Sequence, residues 1–123
     1  MREFEKDYKI NFVDVNDVLV GFDNSQNCCE NFGWFYSESL PTKIDYPPLN
    51  SNPSPDLEAY VFDSEFFHQV NDTGLATEAN IATFKLVNGA QILYLNLYNS
   101  HNGYYSHGFQ VEVAGKVINT GSL

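Results

Sequence analysis

Residues 80–99, NIATFKLVNGAQILYLNLYN, decide the fold. Ile81, Phe84 and Leu86 lead up to Asn88-Gly89, a dipeptide suited to the left-handed conformations of a two-residue hairpin loop. Beyond it Leu93, Leu95 and Leu97 alternate with Ile92, Tyr94, Asn96 and Tyr98. A period of two marks strands buried mainly on one face. The pattern predicts 81–87 paired with 91–98 through a turn at Asn88-Gly89. After a polar loop, Phe109, Val111 and Val113 alternate with Gln110 and Glu112 and predict a third strand. The expected fold is mainly β, or α+β, a single-domain antiparallel sheet with little helix.

Working outward, Tyr8, Ile10, Phe12 and Val13–Val15 read as a first strand. A turn at Asn16-Asp17 then leads to a second at Val18–Phe22. Residues 1–7, charged and mixed in sign, read as a frayed or short helical lead-in. Asp23–Asn27 is a polar loop of residues that bond their own backbone. It leads to Cys28-Cys29 and to the aromatic cluster Phe32–Tyr36, read as a short strand in which Gly33 allows a bulge or close approach. Trp34 is expected in the core. All five prolines fall within 37–56, which reads as a long surface loop. A strand is expected at 58–63, although Leu57, Tyr60 and Val61 also fit helical spacing, and a turn at Asn71–Gly74.

With 123 residues the chain makes one domain, 1–123. No stretch approaches the roughly 18 apolar residues of a membrane span. The N-terminus lacks an apolar core, which leads to an expectation of a cytoplasmic protein. The net charge of -10 is unevenly spread. Between Ile44 and Phe84 stand seven acids and no Lys or Arg; from Leu86 to Val111 there is no charged residue of either sign. Direct nucleic-acid binding is disfavoured, because neutralising phosphates takes clustered cations. The acidic balance reads first as simple solubility, and otherwise as an acidic surface at Asp56, Glu58, Asp63 and Glu65 suited to a basic protein partner.

Two short motifs stand apart, Gln26-Asn27-Cys28-Cys29-Glu30 and Asn102-Gly103-Tyr104-Tyr105-Ser106. With the early hairpin and the late strand, they resemble an uncharacterised family of small bacterial and phage proteins with an Asp-Cys-Cys-Glu motif and an Asn-Gly-Tyr-Tyr-Ser motif. Asn27 here replaces that family's Asp, and the proline loop is longer. The resemblance spans 8–113 in outline and implies a small α+β or mostly-β domain of prokaryotic or phage origin. It implies no activity, and no catalytic residue is carried over from it.

The vicinal Cys28-Cys29 pair is expected reduced, since neighbouring cysteines on a strand point to opposite faces and bridge only with strain. Zinc would want four ligands at recurring spacing. Cys28, Cys29, His68, His101 and His107 supply the atoms without that spacing, so no metal or cofactor is expected. A Cys–His nucleophile pair is sterically conceivable, with His101 or His107 beside a thiol, but no motif writes one. The Asp14, Asp17, Asp23 run lacks the alternation and closing Glu of an EF-hand.

The loop 99–108 is the best binding candidate. Asn99, His101, Asn102, Tyr104, Tyr105 and His107 combine rigid aromatic area with adaptable hydrogen bonding. Structurally it reads as a wide hairpin loop with Gly103 at positive φ. The expectation is a non-enzymatic accessory protein that binds or inhibits a macromolecule by occluding it. The alternative is a small-molecule or metal-binding domain using the Cys pair and the loop histidines.

Overall fold

The computed structural model describes residues 1–25, 32–39, 57–63, 71–72, 80–99 and 107–123. Every regular element among them is a strand: β1 (Arg2–Lys6), β2 (Lys9–Val13), β3 (Val18–Asp23), β4 (Phe32–Ser37), β5 (Val61–Phe62), β6 (Asn71–Asp72), β7 (Asn80–Asn88), β8 (Gln91–Asn99), β9 (Gly108–Val113) and β10 (Lys116–Ser122). They form two five-stranded sheets. The first runs β1-β2-β3-β9-β10; the second runs β4-β8-β7-β5, with β6 also on β7. All pairings are antiparallel.

The sheets pack face to face around an aromatic core. Phe12, Val20, Phe22 and Val111 of the first sheet are closed to solvent, as are Phe84, Leu86, Leu95 and Leu97 of the second. Each such side chain contributes about 1.5–3 kcal/mol by leaving water. Rings meet edge-on across the interface: Phe12 with Trp34 at 6.0 Å, Phe22 with Phe32 at 6.3 Å, Phe84 with Phe109 at 5.9 Å. Trp34 is thus packed against the core, as its setting among aromatics suggested. The two sheets are also tied at one side, where the Tyr36 hydroxyl donates to the Glu3 carboxylate. Burial pushes the Tyr36 phenol far above its ordinary range, and the hydrogen bond to Glu3 and its charge add to the rise.

The central hairpin forms as its alternation demands, with a shifted turn. Asn88 pairs with Gln91, so the loop is Gly89-Ala90. Gly89 has φ +60 and is the only positive-φ residue of this loop, the pattern of a type II′ turn. A loop at Asn88-Gly89 would place Val87 opposite Ala90, whereas Val87 faces Ile92. That slide of two residues keeps every side chain on its own face, because the strand period is two. Gly33 does allow a close approach: a Cβ there would lie 2.9 Å from the Tyr98 hydroxyl.

Several expectations are corrected. Residues 2–6 form a strand, not a helical lead-in, because β2 offers an edge to pair with through the turn Asp7-Tyr8, both at positive φ. The stretch 58–63 keeps only Val61–Phe62 as strand, after a turn closed by Tyr60 N–H donating to Leu57 O at 3.0 Å. Asn71 and Asp72 pair with Thr83 and Ala82 rather than making only a turn. The loop 99–108 is not a hairpin: β8 and β9 lie in different sheets, β9 between β3 and β10. The last strand, β10, falls beyond the predicted set. Its side-chain alternation is broken by a bulge between Val117 and Asn119, which hides a period of two from any window.

Candidate functional site

The described residues that flank both motif-bearing segments stand at one end of the sandwich. The segment 26–31 starts after Asp23-Asn24-Ser25. There Asp23 Oδ1 accepts from the Ser25 amide at 2.9 Å and the Ser25 hydroxyl at 2.7 Å, a local turn that Asp favours. Asn24 N–H donates to Tyr8 O at 2.8 Å, fixing this exit to the β1–β2 turn. The segment returns at Phe32, which pairs with Asn99.

The segment 100–106 starts after that same Asn99 and returns at His107. Asn99 Nδ2 donates to Leu123 O at 3.1 Å. His107 and Leu123 exchange backbone hydrogen bonds, each of 2.9 Å. The His107 ring stacks on Phe32 with centroids 3.9 Å apart and lies 5.9 Å from Phe22. Its Nδ1 is 2.8 Å from Asp23 O. A carbonyl can only accept, so Nδ1 carries the proton, and in the neutral ring Nε2 is then the acceptor nitrogen. His107 thus touches Asp23 and Phe32, while Asn99 pairs with Phe32 and shares Leu123 with His107.

Of the predicted binding residues, Asn99 and His107 are buried, at 3% and 1% exposure. They anchor the loop rather than face solvent. His101, Asn102, Tyr104 and Tyr105 lie outside the described residues, as do Cys28, Cys29, Asp56 and Glu65. Glu58 is exposed. Asp63 is half-buried and sits 3.6 Å from Lys85, the first cation after the acid-rich stretch, so this acid has a counter-charge. Asp63 N–H also donates to Lys85 O at 2.9 Å. Lys85 lies five residues along β7 from Asn80, which pairs with Asn99. At about 3.3 Å per residue, Asp63 and the loop roots stand on the order of 15 Å apart. Asp63 and the roots of the loop do not share one patch.

The opposite end holds a site built on Asp14, which the sequence shows only as a member of an acidic run. Asp14, 7% exposed, begins the loop between β2 and β3. Its Oδ1 accepts from Asn16 N–H at 2.9 Å and Val18 N–H at 3.0 Å; its Oδ2 accepts from Phe62 N–H at 2.8 Å. The carboxylate closes a turn in the first sheet and binds β5 of the second. The Asp before a turn was the only available signal; the bond to Phe62 has none. Beside it lies an open recess of about 660 Å³ in which Met1 and Arg2 stand with the apolar Val13, Val15 and Leu57 and the acids Asp14, Asp17 and Glu58. Among the described residues no group of three or more His, Cys, Asp or Glu side chains is placed to hold a metal ion. No helix among them is long and apolar enough to cross a membrane.

The architecture is thus an all-β sandwich that roots two motif-bearing segments side by side at one end. The chain belongs to the family described as the domain of unknown function DUF7448, whose model matches residues 2–111. No curated protein and no solved structure matches it.

Proposed function

We propose that the protein is a non-enzymatic accessory module that binds another macromolecule, a protein, and acts by occluding it. The observation that carries this reading is the convergence of the roots of the two motif segments on one end, joined by the contacts of Phe32 and Asp23 with His107. Binding residues commonly stand on loops positioned by a rigid scaffold, and a loop with fixed roots loses less entropy on binding. The sequence between these roots holds Tyr104, Tyr105, Asn102 and His101 in one segment and Cys28 and Cys29 in the other. The net charge of -10 speeds encounter with a basic partner through its long-range field. Glu58, Asp63, Asp56 and Glu65 belong to that field, while the loop end makes the contact. A bacterial, phage or mobile-element origin is part of this proposal and rests on the two motifs.

The test begins with a pull-down of the partner from a bacterial lysate. Replacing Tyr104 and Tyr105 together by Ala should raise the dissociation rate about tenfold or more, the effect of losing aromatic anchors. Neutralising the four acids should lower the association rate and flatten its salt dependence. Folded variants of both kinds that bind like wild type would refute the reading.

A second reading, a metal- or small-molecule-binding domain, is favoured by the His107 tautomer. Metal-bound histidines commonly donate their other N–H to a carbonyl in this way. Native mass spectrometry decides it: a retained ion that is lost with Cys28→Ser, His101→Ala or His107→Ala supports this reading over the first.

A further inference from the structure

The first sheet has two edges, and they are unlike. β1 reads Arg2-Glu3-Phe4-Glu5-Lys6, with a charge at every position but Phe4. Such charges keep foreign strands off a sheet. β10 reads Lys116-Val117-Ile118-Asn119-Thr120-Gly121-Ser122, with a single charge. From Val113 to the last residue there is no acid, in a chain with 16 of them. Its backbone directions follow from the ladder. Leu123 and His107 exchange hydrogen bonds, and antiparallel pairs alternate between bonded and non-bonded. Gly121 therefore faces Phe109 with its polar groups, while Ser122 and Thr120 turn theirs away from β9. Among the described residues nothing pairs with that outer side. Thr120 and Ser122 are exposed, and Val117 is 47% exposed.

We propose that the outer edge of β10 docks a second copy of this chain, antiparallel about a two-fold axis, so that two sheets become one. A strand set against its own copy this way is self-complementary. Charge selects the place. Two copies at -10 each repel over most of their surface, and the acid-free edge is where they approach with least repulsion. Glu112, opposite Val117 on β9, is the acid beside this edge by register. Of its β-branched residues, Thr120 lies on the regular run Asn119–Ser122 and suits an added ladder, while Val117 and Ile118 lie at the bulge. This inference is independent of the binding role assigned to the other end.

Sedimentation equilibrium of the full chain, from micromolar to millimolar concentration, tests it. A monomer–dimer equilibrium is expected, and added salt should strengthen it, because the screening length falls from about 10 Å at 0.1 M to about 3 Å at 1 M. Thr120→Pro removes an outward N–H without touching the β9 ladder. It should weaken the dimer about tenfold, since symmetry removes the bond twice. Val117→Lys should weaken it too while leaving the backbone unchanged, and it carries the test if the proline variant does not fold. Hydrogen exchange should show concentration-dependent protection at Thr120 and Ser122. A monomer at every concentration, folded variants that dimerise like wild type, or protection at Arg2–Lys6 instead would each overturn the proposal.

Discussion

At the end of the sandwich that carries the β2–β3 turn, one side chain does the closing. Asp14 accepts three backbone N–H groups and links turn and opposite sheet through Phe62. At the other end the closure is shared among several groups: the Asn99 amide, the His107 ring and the paired backbones of His107 and Leu123. The first arrangement concentrates many bonds on one residue, between the tight β2–β3 turn and β5, which follows the long connection from Ser37. The second spreads them over residues that each terminate a longer segment. The difference separates a closure concentrated on one side chain from one shared among several, and it predicts unequal responses to single substitutions.

The largest response is expected at Asp14. Replacing it by Ala leaves three amides without their acceptor, two of them in buried settings. The cost should be about 3 kcal/mol, read by urea unfolding. Asp14→Asn keeps one acceptor oxygen and should lose roughly half as much. A loss below about 1 kcal/mol for the Ala variant would mean that water replaces the carboxylate, and the contrast between the ends would collapse.

His107→Ala should cost less, about 2 kcal/mol, because it removes a stacked ring while leaving the backbone pair with Leu123 in place. The sharper readout is local. Amides at Phe32 and Asn99 should exchange faster in native-state hydrogen exchange, while Phe62 should not change. Faster exchange at both ends alike would show that they open as one unit.

How far the sequence foretells this follows from the range of each interaction. The hairpin 80–99 was legible because its alternation is local and its faces survive the two-residue slide at the turn. β1 was misread since Arg, Glu and Lys suit a helix as an isolated stretch, and only the partner β2 makes a strand of them. β10 was hidden by its bulge. The roots of the candidate site were legible only as residue types. That Asn99 and His107 are buried depends on Leu123 and Phe32, distant in the chain, and the tie from Asp14 to Phe62 crosses 48 positions. No window of local pattern carries contacts of that range.

The smallest effect is expected at the tip of the β7–β8 hairpin, at the Asp14 end but outside its hydrogen bonds. Gly89 holds φ +60, and a Cβ built on it meets nothing within 4 Å. A substitution there is therefore a test of backbone conformation alone. Gly89→Val places a branched side chain in a region it resists and should cost about 1 kcal/mol, while Gly89→Asn, tolerant of that region, should cost less. The ranking of the two, by melting temperature, is the measurement. Equal losses would place the strain elsewhere than φ and would remove the type II′ assignment. If Val costs more than Asn but neither change alters exchange at Phe62, the tip is separable from the Asp14 fastening, and the tight end of the sandwich resolves into two independent devices.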